Sequence, residues 1–172
     1  MKSLVPSAIS IFTLNQLVHD NVTGISGILT HAYVNQDYHL SYCLAPGGVD
    51  HKTHKTRASF WAIESRVVLM TSDPSPKRTR YSWNVVPLDI LGEFVTEPIS
   101  GLIGRVTAFT IHRTGCVHAE IQSVGCDELG NIWPTFETDV RFLKSSILDA
   151  RQFPTTSEAP SPGNCPKHPD HL

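Results

Sequence analysis

Apolar side chains recur at every second position along several short stretches of this chain, with polar residues between them. Leu40, Tyr42 and Leu44 alternate with Ser41 and Cys43, and Val117, Ala119 and Ile121 alternate with His118, Glu120 and Gln122. A period of two places each set on one face of a strand. The pattern predicts strands over residues 16–20, 28–34 and 38–44, with a hairpin turn at Asn35, Gln36 and Asp37. Phe60–Ile63 and residues 66–70 add short apolar runs that extend the sheet, and residues 8–12 suit an edge strand.

The pattern occurs twice. Residues 14–30 return 77 positions later as residues 91–107, with Leu14/Leu91, Val18/Val95, Gly24/Gly101, Gly27/Gly104 and Thr30/Thr107 identical. The same offset carries Leu40, Tyr42 and Leu44 onto Val117, Ala119 and Ile121. Retention of two glycines within one apolar register marks an internal duplication. Each glycine meets either a positive dihedral or a close backbone approach. The second copy is expected to use residues 93–97, 102–111, 116–122 and 133–143 as its strands.

This arrangement divides the chain into an N-terminal arm (1–13), a first repeat (14–70), a linker (71–90), a second repeat (91–144) and a tail (145–172). The linker rests on the polar, two-proline stretch at 71–80, and the tail is expected to be disordered from about residue 154, where Pro, Ser and Thr dominate. Twelve prolines, eleven glycines and few runs of strong helix formers favour strands and turns. Units this small bury a modest fraction of their surface, so a homo-oligomer is expected.

No window has the length and apolar content of a membrane span, and the N-terminus makes a poor signal peptide, so the chain is expected inside the cell. Its four cysteines, Cys43, Cys116, Cys126 and Cys165, do not repeat as a disulfide framework would, and reduced thiols are the expectation. Net charge is -2, but residues 51–80 hold seven of the fourteen Lys and Arg against Glu64 and Asp73. The cationic segment therefore carries +5 and the remainder -7. Such a patch suits phosphate groups or an acidic protein surface.

The candidate binding residues follow from that patch: His51, Lys52, His54, Lys55 and Arg57 in a basic loop, Lys77, Arg78 and Arg80 in the linker, and the rings of Trp61 and Trp83 beside them. Cations neutralise phosphate, and flat aromatic faces stack on bases. The turn at 127–131 in the second repeat is expected to be much shorter than this loop.

A metal set can be drawn from His112, Cys116, His118 and Cys126, which offer imidazole and thiolate ligands within one hairpin. The first repeat keeps only His39 and Ser41 at the positions of Cys116 and His118, so neither metal nor cofactor is expected. Cys116 beside His112 or His118 lacks an orienting acid and an oxyanion hole, and no nucleophile elbow or phosphate-binding glycine loop is present. The expected function is therefore non-enzymatic.

The combination Val22-Thr-Gly-Ile-Ser-Gly-Ile-Leu-Thr30, its second copy Ile99-Ser-Gly-Leu-Ile-Gly-Arg-Val-Thr107, the Gly115-Cys116 pair and Phe136-Glu-Thr-Asp139 resembles a small uncharacterised β-barrel domain common in tailed-phage and prophage genomes. In the first repeat Tyr38-His39 replaces the Gly-Cys pair. The resemblance implies a phage origin and a barrel fold. The expected architecture is thus all-β, with two tandem small barrels of the Src-homology-3-like kind and a disordered C-terminal tail. The expected role is that of a phage-encoded binding module in the host cytoplasm, engaging a host protein or a phosphate-bearing ligand such as a nucleotide through the basic loop and the groove between repeats. Alternatives are a virion structural or assembly protein and a nucleic-acid-binding protein.

Overall fold

A computed structural model describes residues 8–50, 52–70, 77–82, 84–127 and 129–143. The chain is all-β. Its strands are β1 (Ala8–Phe12), β2 (Leu17–Asp20), β3 (Ser26–Asn35), β4 (Leu40–Ala45), β5 (Phe60–Ile63), β6 (Val67–Leu69), β7 (Arg78–Ser82), β8 (Phe94–Thr96), β9 (Ile103–His112), β10 (Val117–Ser123) and β11 (Thr135–Asp139). A four-residue helix, α1 (Val140–Leu143), follows β11, and single 3-10 turns lie at Glu64–Arg66 and Leu88–Ile90. The end of the polar stretch expected to be a linker opens β7, which pairs with β1 in a two-stranded ribbon. The expected tail, residues 145–172, lies outside the described residues.

The expectation of two closed barrels is corrected by the pairing. Nine strands form one sheet along the path β11-β10-β9-β3-β2-β6, with β4 joined to β3 and β5, and β8 joined to β9. The reason lies in the two long strands. β3 pairs with β2 through residues 26–28 and with β9 through residues 31–35, so it leaves its own unit halfway along. β9 does the same, pairing first with β8 and then with β3. Ladder bonds that could have closed each unit on itself instead join the two units.

The duplication is written into this geometry. Thr30 and Thr107 are the extra residues of equivalent bulges, and their hydroxyls donate to the carbonyls of the equivalent residues Cys43 and Glu120, each at 3.2 Å. Bulges bend and twist the strand, here at the point where it changes partner. Across the seam, His31 pairs with His112, Tyr33 with Thr110 and Asn35 with Ala108. Because Tyr33 and Thr110 are themselves equivalent positions, a pseudo-twofold axis passes between them.

The conserved glycines divide their roles. Gly24 and Gly101 have φ of +72° and +71°, a conformation that side chains disfavour. Gly27 and Gly104 are held by close approach: a Cβ would stand 2.9 Å from the carbonyl of Ala45 in the first repeat, and 2.4 Å from Ile121 and 2.5 Å from the Gln122 oxygen in the second. Asp20 and Glu97, also equivalent, organise the same turn in each repeat. Asp20 accepts from Val22 N and Thr23 Oγ1, and Glu97 from Ile99 N, Ser100 N and Ser100 Oγ. Only Asp20 gains a fork from Arg66, at 3.0 and 2.5 Å.

One hydrophobic cluster underlies both repeats. It joins Ile11, Leu29, Val34, Tyr42 and Leu44 to Leu88, Val106, Phe109, Ile111 and Ile121. Tyr42 reaches the ribbon: its hydroxyl accepts from Phe12 N at 3.0 Å and donates to Glu64 at 3.4 Å. The opposite face of the sheet, around the seam, carries the outward residues of each strand.

Candidate functional site

Alternation fixes which side chains stand on that outward face. In β3, Ala32 and Val34 are buried, so His31 and Tyr33 point the other way. The partners placed beside them by the ladders are Ser41 and Cys43 on β4, Trp61 and Ile63 on β5, and Thr110 and His112 on β9. His118 and Glu120 on β10 and Glu137 and Asp139 on β11 continue the face.

Five of these residues are rings in mutual contact. Trp61 lies 5.9 Å from Tyr33, nearly perpendicular, and 6.4 Å from His31. His31 meets His112 edge-on at 4.5 Å, and His112 meets His118 at 4.6 Å. Trp61 remains 49% exposed and its neighbour Ile63 54%. A large half-exposed ring backed by other rings, on the outward side of an antiparallel sheet, is a surface suited to stacking.

The ring cluster is electrostatically tense. His112 Nε2 is buried with no hydrogen-bond partner among the described residues. Burial lowers the basicity of His31, with help from the positive charge of Arg113, and burial followed by the neighbouring His31 and His118 lowers that of His112. His118 Nδ1 stands 3.9 Å from Glu137. Glu120 accepts from Thr107 Oγ1 at 3.0 Å and, at 3.5 Å, from the Tyr33 hydroxyl, whose pKa is raised by burial and then by the Glu120 charge.

The basic loop runs into this face through β5. An isolated bridge between Val49 and Thr56 closes its neck, and Asp50 Oδ1 accepts from Lys52 N at 2.7 Å and Thr53 N at 3.0 Å. Its cations Lys52, Lys55 and Arg57, with His54, are exposed, and Arg57 is four residues before Trp61. The second repeat builds the same device: a Cys126–Ile132 bridge closes a loop in which Asp127 Oδ1 accepts from Leu129 N and Asn131 N. The expected contrast in length is therefore corrected. The second loop is one residue shorter, which is why equivalent positions stand 77 apart before it and 76 apart after it, as with Phe60 and Phe136. The contrast is one of charge.

Other expected binding residues lie elsewhere. Arg78 is occupied: it stacks 4.6 Å over the Phe12 ring and bonds Glu64 and the Ser10 carbonyl, tying the β1–β7 ribbon to the end of β5. Lys77 and Arg80 are exposed beside or on β7. His51 and Trp83 lie outside the described residues. Of the metal candidates, His112 and His118 pack ring to ring, whereas Cys116 is an exposed free thiol in a shallow cleft with Thr114, Asp139 and Arg141. Cys126 is disulfide-bonded, against the expectation of a reduced thiol, and offers no thiolate. No group of three or more His, Cys, Asp or Glu among the described residues is placed to hold a metal ion.

Sequence reasoning missed His31, Tyr33, Glu120 and Glu137. Their signal was positional: His31 and Tyr33 alternate with the buried Ala32 and Val34, and pairing equivalent strands about Tyr33 and Thr110 brings His31 opposite His112. No helix among the described residues is long and apolar enough to cross a membrane. Comparison of the chain with protein-family models, curated proteins and solved structures finds no significant match.

Proposed function

We propose that this protein is a non-enzymatic binding module whose outward seam face takes a nucleotide, with the base against the Trp61, Tyr33 and His31 rings and the phosphate toward Lys52, Lys55 and Arg57. The observation that carries this reading is Trp61, a half-exposed ring packed against two others, on the strand that the cationic loop enters. Rings supply sequence-tolerant stacking, and three exposed cations supply attraction to phosphate.

Fluorescence titration with cyclic AMP tests it, with Trp61→Phe used to assign the signal among the three tryptophans. Trp61→Ala should lose about 1–3 kcal/mol of binding, the usual worth of a base stack. A Lys52→Ala/Lys55→Ala/Arg57→Ala variant should bind more weakly and show a shallower dependence on salt. Saturable binding that neither variant changes would place the ligand elsewhere, and no binding would remove the reading. Binding of single-stranded RNA or DNA in preference to the mononucleotide would favour a nucleic-acid partner.

A further inference from the structure

We infer that the His31–His112–His118 ladder is a proton-operated switch on this face, turning it from net acidic to net basic on acidification and so tightening its hold on an anionic ligand. The inference rests on the nucleotide reading above and adds its regulation.

Geometry sets the device. Three imidazoles from three strands are in unbroken contact, at 4.5 and 4.6 Å, with the middle ring's Nε2 enclosed and unpartnered. Two charged imidazoles at such separations repel, so the three cannot charge independently. The end rings, His31 and His118, each have one imidazole neighbour, while His112 has two. Protons are therefore expected at the ends first and at the centre last.

The groups facing the ladder set the sign. From β10 and β11 come Glu120 and Glu137, and from the turn after β9 comes Arg113, whose charge reaches His31. Asp139 is already paired with Arg141 at 2.7 Å. The other side chains that the strand pairing places beside the imidazoles are Cys43 on β4, Thr110 on β9, Tyr33 on β3 and Trp61 on β5, none of them a carboxylate or a cation. With neutral imidazoles, two carboxylates outweigh one guanidinium. Protonating even the two end rings reverses that balance, beside a loop that is already cationic.

The test uses the full chain and cyclic AMP, whose phosphodiester keeps its charge throughout the range. Its Kd is measured by calorimetry from pH 7.5 down to pH 5, alongside NMR titration of the histidine rings without ligand. The wild type should bind more tightly as pH falls, by about tenfold per pH unit where one proton is taken up with the ligand. His31→Gln/His118→Gln should abolish most of that dependence. His112→Phe, which keeps a ring and removes the middle charge, should delete the last proton step, so that binding stops tightening at the acid end of the range while the steps of the two end rings remain. A role confined to packing would leave the acid end of the profile as in the wild type.

Affinity independent of pH, or a pH dependence unchanged in both variants, overturns the switch while leaving nucleotide binding in place. If cyclic AMP fails to bind at any pH, the nucleotide reading falls. The ligand-free titration then decides the ladder: staggered, coupled midpoints uphold it, and three independent imidazoles at the ordinary value overturn it. Should the double variant fail to fold, His112→Phe and the ring titration still decide.

Discussion

Tyr33 and Thr110 occupy the same position in the two copies of the duplicated sequence and are also paired with each other across the β3–β9 ladder. A residue can face its own counterpart only if the two units are related by a twofold axis at that point. The seam is therefore the contact two separate copies would make through one strand each, now fixed within a single chain.

A shared core makes the repeats one cooperative unit. Phe109 of the second repeat is fully buried in the cluster that includes Val34 and Leu44 of the first. Phe109→Ala should destabilise the protein by about 3–5 kcal/mol. Calorimetry should show a single transition, shifted down as a whole. Two transitions, with only one moved, would mean that the repeats melt separately.

The glycines of the repeat should respond by role. At Gly104 an added methyl meets Ile121 and the Gln122 backbone, so Gly104→Ala should cost about 1–3 kcal/mol from overpacking. Gly101→Ala has open space but a φ of +71°, and should cost about 1–2 kcal/mol from backbone strain alone. Thermal melts distinguish them when each is combined with Ile121→Leu, which lacks the β-branched methyl that the first clash meets and leaves the second untouched.

Acid should weaken the fold through Asp20. The Arg66 fork and the bonds from Thr23 and Val22 hold its carboxyl well below the ordinary value of 3.8 despite its burial. A carboxylate whose pKa is lower when folded gives stability that is complete above the unfolded pKa and is lost as pH falls through the folded one. Denaturation midpoints should therefore fall steadily below about pH 4, and Asp20→Asn should flatten that slope while lowering stability at pH 7. An unchanged acid slope in the variant would assign the effect to other carboxylates.

Asp50 should matter to the loop and little to the rest. Asp50→Ala removes the acceptor for Lys52 N and Thr53 N, so amide exchange at those residues should accelerate while the core strands keep their protection. Cyclic AMP binding should weaken without loss of the three cations, because the loop no longer holds them in one arrangement. Unaltered binding would mean that charge alone suffices.

Much of the fold was legible in residues such as Leu40, Tyr42 and Leu44, whose period of two survives in Val117, Ala119 and Ile121 and names the buried face directly. What the sequence did not convey was partner choice. Nothing in residues 31–35 says that they pair with residues 108–112 rather than closing a barrel within their own unit, because a ladder between backbones leaves no mark on side-chain alternation. The same gap hid the ring cluster: His31 acquires its meaning only from His112 across the seam. The likeness of the two loops was obscured because Asp50 and Asp127 are alike while the residues they hold differ in charge, and composition reports the difference alone.

The seam also gives the molecule a direction. Two undiverged copies meeting at Tyr33 would offer a palindromic surface, indifferent to which way round an occupant lay. Here Trp61 and Ile63 lie on one side of the axis, and their counterparts on the other are Glu137 and Asp139. On the proposed reading, the two orientations of an elongated ligand with unlike ends cease to be equivalent on such a surface.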